Sequence, residues 1–183
     1  MKDIIWRAAD GQSLEYCQFT FEGKTAIRGT VVGKLQGARG VFRYEVACWP
    51  DGTTRWARGW VQSDRGELSW TVHRPECGIW LVNGTAAPGL APCLDVDIGV
   101  TPSTNSLAIR RLTLHVGESQ DVWACWVSIP ELTVHALAQR YTRLSSDVYR
   151  YESLQSGFSA RLRVDEEGIV QEYPGLWRAL STD

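Results

Sequence analysis

With 183 residues and a net charge of −2, the chain is long enough to bury one ordinary hydrophobic core, with no need of metal or disulfide staples. Nineteen basic residues stand against twenty-one acidic ones, so no overall field exists to draw in a nucleic-acid backbone or an anionic membrane, and both are disfavoured as partners. The five cysteines, Cys17, Cys48, Cys77, Cys93 and Cys125, are odd in number and never form a C-x-x-C pair, which argues for buried free thiols over a disulfide framework or zinc ribbon.

Taken in chain order, the opening Met1-Lys2-Asp3-Ile4-Ile5-Trp6-Arg7 lacks the apolar block and small-residue cleavage site of a secretory signal, and a cytoplasmic location is expected. Apolar alternation at period two then dominates. Phe42, Tyr44, Val46 and Cys48 fall on one face of a strand, with Arg43 and Glu45 on the other. Leu68, Trp70 and Val72 repeat the pattern. Turn residues at Asp51-Gly52, Asp64-Arg65-Gly66 and Asn83-Gly84 imply a succession of hairpins. The uncharged run from Cys77 to Leu94 nearly reaches membrane-spanning length, but Gly78, Asn83, Gly84, Pro88, Gly89 and Pro92 make it hairpin and loop.

The best helix signal is Thr101 as N-cap with Pro102 at the first helical position, opening a short segment towards Ile109. Arg110 and Arg111 then point to opposite faces of extended chain, one of them to pair with Asp95 or Asp97. Leu112, Leu114 and Val116 are expected in a strand. At Ser128, Glu131 imitates a capping box, yet Thr133, Val134, Tyr141 and Thr142 favour extended structure, and a strand is expected there. Phe158, Ala160, Leu162 and Val164 form the last clear alternation, before the turn at Asp165-Glu166-Glu167-Gly168. With no repeat and no linker, residues 1–183 read as a single domain.

The sharpest polar feature is Asp95-Val96-Asp97, which places two carboxylates on one face of a strand. Such a pair could bind sugar hydroxyls, hold a cation or act as acid and base, or merely satisfy backbone donors near the Thr101-Pro102 turn. A second constellation puts Gln139, Tyr141 and Arg143 on one face, with Arg150 and Glu152 sharing a face of the next strand. It suits a sugar or phosphate head group, although cross-strand ion pairing is the commoner use of such residues. His73, His115 and His135 are scattered, and no G-x-S-x-G elbow, glycine-rich phosphate loop or H-E-x-x-H helix is present.

The blocks Leu94-Asp95-Val96-Asp97-Ile98-Gly99, Thr101-Pro102-Ser103-Thr104-Asn105, Ile109-Arg110-Arg111-Leu112, Gln139-Arg140-Tyr141-Thr142-Arg143-Leu144, Tyr149-Arg150-Tyr151-Glu152-Ser153 and Tyr173-Pro174-Gly175-Leu176-Trp177-Arg178 resemble, in that order, the Putative glycolipid-binding family of bacterial proteins. The resemblance runs from Trp6 essentially to the C-terminal block. It departs at Cys48-Trp49-Pro50-Asp51-Gly52, where an Asp-x-x-Trp arrangement is usual, and at Ala108, where proline is usual.

The resemblance implies a mainly β fold, a many-stranded antiparallel sheet curled around a single short helix, a spiral β-roll remotely like lipoprotein localization factors. It also implies a homodimer and an acidic pocket for a glycolipid, carried here onto Asp95, Asp97, Tyr141, Arg143 and Glu152, with Glu15 and Arg110 as further members. The function expected is non-catalytic binding of a glycolipid or related sugar-bearing amphiphile, with a role in glycolipid metabolism, and with no cofactor, metal, nucleic acid or integral membrane association. The alternatives are a carboxylate-dependent enzyme acting on a glycoside or glycolipid, and a dimerisation module whose aromatic surface meets a protein.

Overall fold

The computed structural model describes residues 1–183 except 22, 24, 36, 130, 131 and 181–183. Fifteen strands form one sheet: β1 (Lys2–Ala8), β2 (Ser13–Thr20), β3 (Ala26–Leu35), β4 (Ala38–Cys48), β5 (Thr54–Ser63), β6 (Gly66–His73), β7 (Leu81–Val82), β8 (Thr85–Ala86), β9 (Asp95–Ile98), β10 (Ser119–Ser128), β11 (Thr133–Arg143), β12 (Val148–Ser153), β13 (Ser159–Val164), β14 (Val170–Tyr173) and β15 (Trp177–Ala179). Among the described residues a single α-helix, α1 (Ser103–Leu112), lies between β9 and β10, and a 3-10 turn covers Pro88–Leu90.

The spatial order runs β8-β7-β6-β5-β4-β3-β2-β1-β15-β14-β13-β12-β11-β10-β9, so the first and last strands pair in the middle and the sheet does not close. Every neighbouring pair is antiparallel except β9 with β10. A parallel pair cannot be joined by a tight hairpin and needs a crossover; α1 is that crossover, which is why the one helix falls where it does.

Alternation decides which face is buried. In β4, Phe42, Tyr44 and Val46 are at most 2 % exposed while Arg43 is exposed, as the sequence pattern requires. The sheet coils into a spiral. Val96, Ile98, Cys125 and Val127, on the far face of β9 and β10, pack with Phe42, Val46, Trp70 and Val72 from the inner face of β4 to β6. The Thr54 amide donates to the Leu94 carbonyl at 2.8 Å, and its hydroxyl accepts from the Val96 amide at 3.0 Å, tying the two turns of the spiral together. Inside the inner turn lies α1, whose Ala108, Ile109 and Leu112 pack against Tyr141, Tyr149, Leu162, Val164 and Val170.

An enclosed helix must satisfy its polar side chains internally. Thr104 donates to Asp97 at 3.2 Å, Asn105 to the Tyr141 hydroxyl at 2.9 Å, and the Ser106 hydroxyl accepts from the Val170 amide at 3.1 Å. The helix starts one residue later than expected, at Ser103 with Pro102 at its N-cap, and Thr101 Oγ1 accepts the Ser103 amide at 3.0 Å from just outside the helix.

Three expectations are corrected. The helix continues through Arg110 and Arg111 to Leu112, because these are good helix formers and basic groups are favoured in a last turn. No strand therefore forms across Leu112, Leu114 and Val116: Thr113 ends the helix at φ 46°, Leu114 is buried and Val116 is exposed. Four of the thiols are buried, but Cys77 is exposed. The segment after Ser128 is the strand β11, as its β-branched and aromatic residues imply, while Glu131 lies outside the described residues. Asn83 and Gly84, both at positive φ, turn the short β7–β8 hairpin.

Candidate functional site

Asp95 and Asp97 do lie on one face of β9, turned towards α1, but they have different surroundings. Asp95 is 2 % exposed and receives a two-pronged guanidinium from Arg111, with Nε to Oδ1 at 2.9 Å and Nη2 to Oδ2 at 2.5 Å. Asp97 is half-buried, and its partners are neutral: Gln139 Nε2 donates to Oδ2 at 2.6 Å and Thr104 Oγ1 to Oδ1 at 3.2 Å. Burial pushes the Asp97 carboxyl above its ordinary range, and the two hydrogen bonds only partly offset that.

Asp97 lines a cleft of about 390 Å³ on the inner face of the sheet, beside the start of α1. The walls are rings. Trp126 and His135 stand opposite one another on β10 and β11, with centroids 4.9 Å apart. Tyr151, Phe158 and Tyr173 form a triangle with centroid separations of 6.2 to 6.3 Å, and Trp177 adds a further indole. A Cβ at Gly99 would come within 3.0 Å of the Trp126 ring, so glycine there lets the indole lie against the end of β9. Tyr141 sits one layer behind, edge-on to Tyr151 at 5.4 Å. The hydroxyls of Tyr141, Tyr151 and Tyr173 are pushed upward in pKa by burial first and then by the Asp97 charge, so all three stay protonated.

Of the side chains singled out in the sequence, the structure brings Asp97 to the cleft, with Tyr141 behind it. Asp95 is occupied by Arg111. Arg143 donates to the carbonyls of Leu114, Ser145 and Ser146 at 2.8 to 3.2 Å and lies over the Tyr149 ring, fixing a loop. Glu152 pairs with Arg150 at 3.3 Å. Arg110 donates to the Glu167 carbonyl and covers the Phe21 ring at 3.5 Å.

Glu15 is fully buried on β2. Its Oε1 accepts from the Tyr44 hydroxyl and, at 2.8 Å, from Thr101, while Oε2 has no partner. Desolvation raises its pKa to about 8 against the opposing pull of those two donors. The cleft side chains that sequence reasoning did not assign are Trp126, His135, Tyr151, Phe158, Tyr173 and Trp177. Period-two alternation places Trp126 on the same face as Ala124 and Val122, but only the pairing of β10 with β11 brings His135 beside it.

A wider groove of about 490 Å³ runs along the outer face of β2 to β6. Its arginines are engaged locally: Glu45 pairs with Arg28 at 3.2 Å and Arg58 at 2.5 Å, and Arg43 lies over Trp60. Such exposed cross-strand pairs are a common way to solvate a sheet face. Among the described residues, no group of three or more His, Cys, Asp or Glu side chains is placed to hold a metal ion, and no helix is long and apolar enough to cross a membrane.

The fold and cleft define a spiral β-roll protein with a ligand-sized, ring-walled concavity. Residues 3–179 match the model of the family described as "Putative glycolipid-binding", and the chain belongs to that family. It is also similar to the crystal structure of a DUF1089 family protein from Pseudomonas aeruginosa, at 32 % identity and a TM-score of 0.82, covering 91 % of this chain and 92 % of that one. No curated protein matches the sequence.

Proposed function

We propose that the chain binds a glycolipid or related sugar-bearing amphiphile in the Asp97 cleft, without turnover, and serves glycolipid metabolism as a cytoplasmic homodimer. The observation that carries this reading is a carboxylate at the edge of a ring-walled cleft. Asp97 offers acceptors for sugar hydroxyls, and Trp126 and Trp177 offer faces for the C–H side of a pyranose. Leu137, Leu176 and Phe158 continue the wall with apolar surface for the start of a chain, each buried Å² contributing about 25 cal/mol.

Membership of a family whose description is glycolipid binding supports the ligand class. The enzyme alternative needs a second carboxylate facing the same substrate. Asp95 is held by Arg111 and Glu152 by Arg150, so binding is the better supported reading. Five free cysteines suit a reducing compartment, and the exposed Ile5, Leu14, Tyr16 and Val32 on the outer face of β1 to β3 supply an apolar surface for a second copy.

Calorimetric titration of the full chain with octyl glucoside and a panel of glycolipids tests the proposal. Saturable binding is expected, weakened about tenfold or more in Asp97→Asn and in Trp177→Ala, since a hydrogen bond to a charged group contributes about 1.5–3 kcal/mol. Absence of saturable binding across the panel, with the variants folded by circular dichroism, overturns it.

A further inference from the structure

We infer that the ligand of the Asp97 cleft carries a positive charge, an ammonium group that seats against Asp97 among the rings of Trp126, Tyr151 and Tyr173. The inference rests on the preceding reading that this cleft is the binding site, and it narrows the chemistry of what binds there.

The contrast between two carboxylates on one strand face is the starting point. Asp95 has a cation of its own, the buried guanidinium of Arg111. Asp97, two residues on, has an opening instead. Among the described residues neither lysine nor arginine lines the cleft, its one basic side chain is His135, set against the Trp126 ring, and Asp97 is its one carboxylate. The arginines of α1, β11 and β12 are committed elsewhere: Arg110 to the Glu167 carbonyl, Arg111 to Asp95, Arg143 to three main-chain carbonyls, Arg140 to Asp121 with bonds of 2.5 and 2.9 Å, and Arg150 to Glu152. Gln139 and Thr104 give Asp97 hydrogen bonds but no charge. Among the described residues Asp97 therefore has no ion-pair partner, His135 being set against Trp126, and half-burial makes its charge costly.

Ring faces favour the same guest. A cation over the face of an indole or phenol is attracted by the ring quadrupole, more strongly where water is excluded, and an array of rings beside a carboxylate is a recurring receptor for ammonium groups. A neutral sugar would satisfy the hydrogen-bonding capacity of Asp97 and leave its charge unanswered. An amino sugar or a quaternary ammonium head group would answer both the charge and the rings.

The test uses matched probes on the full chain, read by tryptophan fluorescence and calorimetry: octyl glucoside, the same glycoside with a 2-amino group kept protonated, and its 2-acetamido form. The amine is expected to bind at least tenfold more tightly than the neutral glycoside. Acetylation should return it to the neutral level, and Asp97→Asn should erase the difference. Dodecyltrimethylammonium, which has the cation without the sugar, separates the two sources: affinity equal to the amine assigns a quaternary head group, and much weaker binding assigns an amino sugar. Equal affinity for the neutral and amino glycosides, or a preference for the neutral one, overturns the inference and leaves the binding reading standing. If none of the probes binds saturably, both fall. The acetylation series needs only the unaltered protein, so misfolding of the variant does not blunt the test.

Discussion

Arg111 on the last turn of α1 clasps Asp95 on β9 through two hydrogen bonds, with side chains only 12 % and 3 % exposed, closing the crossover that carries the chain from β9 to β10. Removing one partner strands a buried charge, which costs about 3–5 kcal/mol, whereas replacing both with apolar groups of similar volume is close to neutral. Arg111→Leu should therefore destabilise strongly, and Arg111→Leu combined with Asp95→Leu should recover most of the loss. Urea denaturation of the two single variants and the double one measures the coupling; additive losses would show that the pair does not act as a unit.

Glu15 makes a second prediction, in pH. Its carboxyl is raised to about 8 in the folded chain, from 4.5 as an ordinary side chain, by desolvation first. The folded state thus binds the proton more tightly than the unfolded state. This contribution to stability is fully present below about 4.5 and is lost as pH rises through 8. The slope is bounded by about 1.4 kcal/mol per pH unit for one proton. Thermal unfolding between the two pH values should show stability falling with pH, and Glu15→Gln should flatten the curve and be the more stable protein on the alkaline side. A parallel decline in Glu15→Gln would assign the effect to other groups.

Much of the fold was legible because period two leaves little freedom. Phe42, Tyr44, Val46 and Cys48 had to share a face, and once they did, Arg43 and Glu45 had to face water. That Asp95 and Asp97 share a face of one strand was legible for the same reason. The end of the helix was not, since Arg110 to Leu112 suits a helix or an amphipathic strand, and the choice was made by Asp95, a tertiary partner. The rings of the cleft were hidden more deeply. Trp126, His135, Tyr151, Tyr173 and Trp177 come from five strands, and only the parallel docking of β9 onto β10 and the curl of the sheet set them around Asp97. Arg143 and Glu152 carried the right chemistry, but their nearest partners, loop carbonyls and Arg150, took them first.

The outer face offers a test of assembly. Ile5 pairs across from Tyr16, and Leu14 from Val32, so four exposed apolar side chains adjoin on β1 to β3. If this patch seats a second copy, Leu14→Lys with Val32→Glu should convert a dimer to a monomer in sedimentation velocity while leaving circular dichroism unchanged. A wild-type chain that sediments as a monomer across concentrations would remove the homodimer from the proposal.

Glycines on the inner face fix the aromatic layer of the outer turn. Phe42 stacks between Tyr44 and Trp70, with centroids 5.3 and 6.4 Å away, and these rings lie over strand positions that have no side chain. A Cβ added at Gly59 would stand 2.7 Å from the Trp70 indole and 2.8 Å from Phe42, inside van der Waals contact with two rings that are at most 1 % exposed and have no room to yield. Overpacking of that kind costs about 1–3 kcal/mol. Gly59→Ala should lower the urea midpoint accordingly, whereas Gly89→Ala, in the 3-10 turn with nothing within 4 Å of its added Cβ, should leave it nearly unchanged. Equal effects at the two positions would mean that the ring stack adjusts freely, and that the layer is held by area alone and not by the fit of rings over glycine.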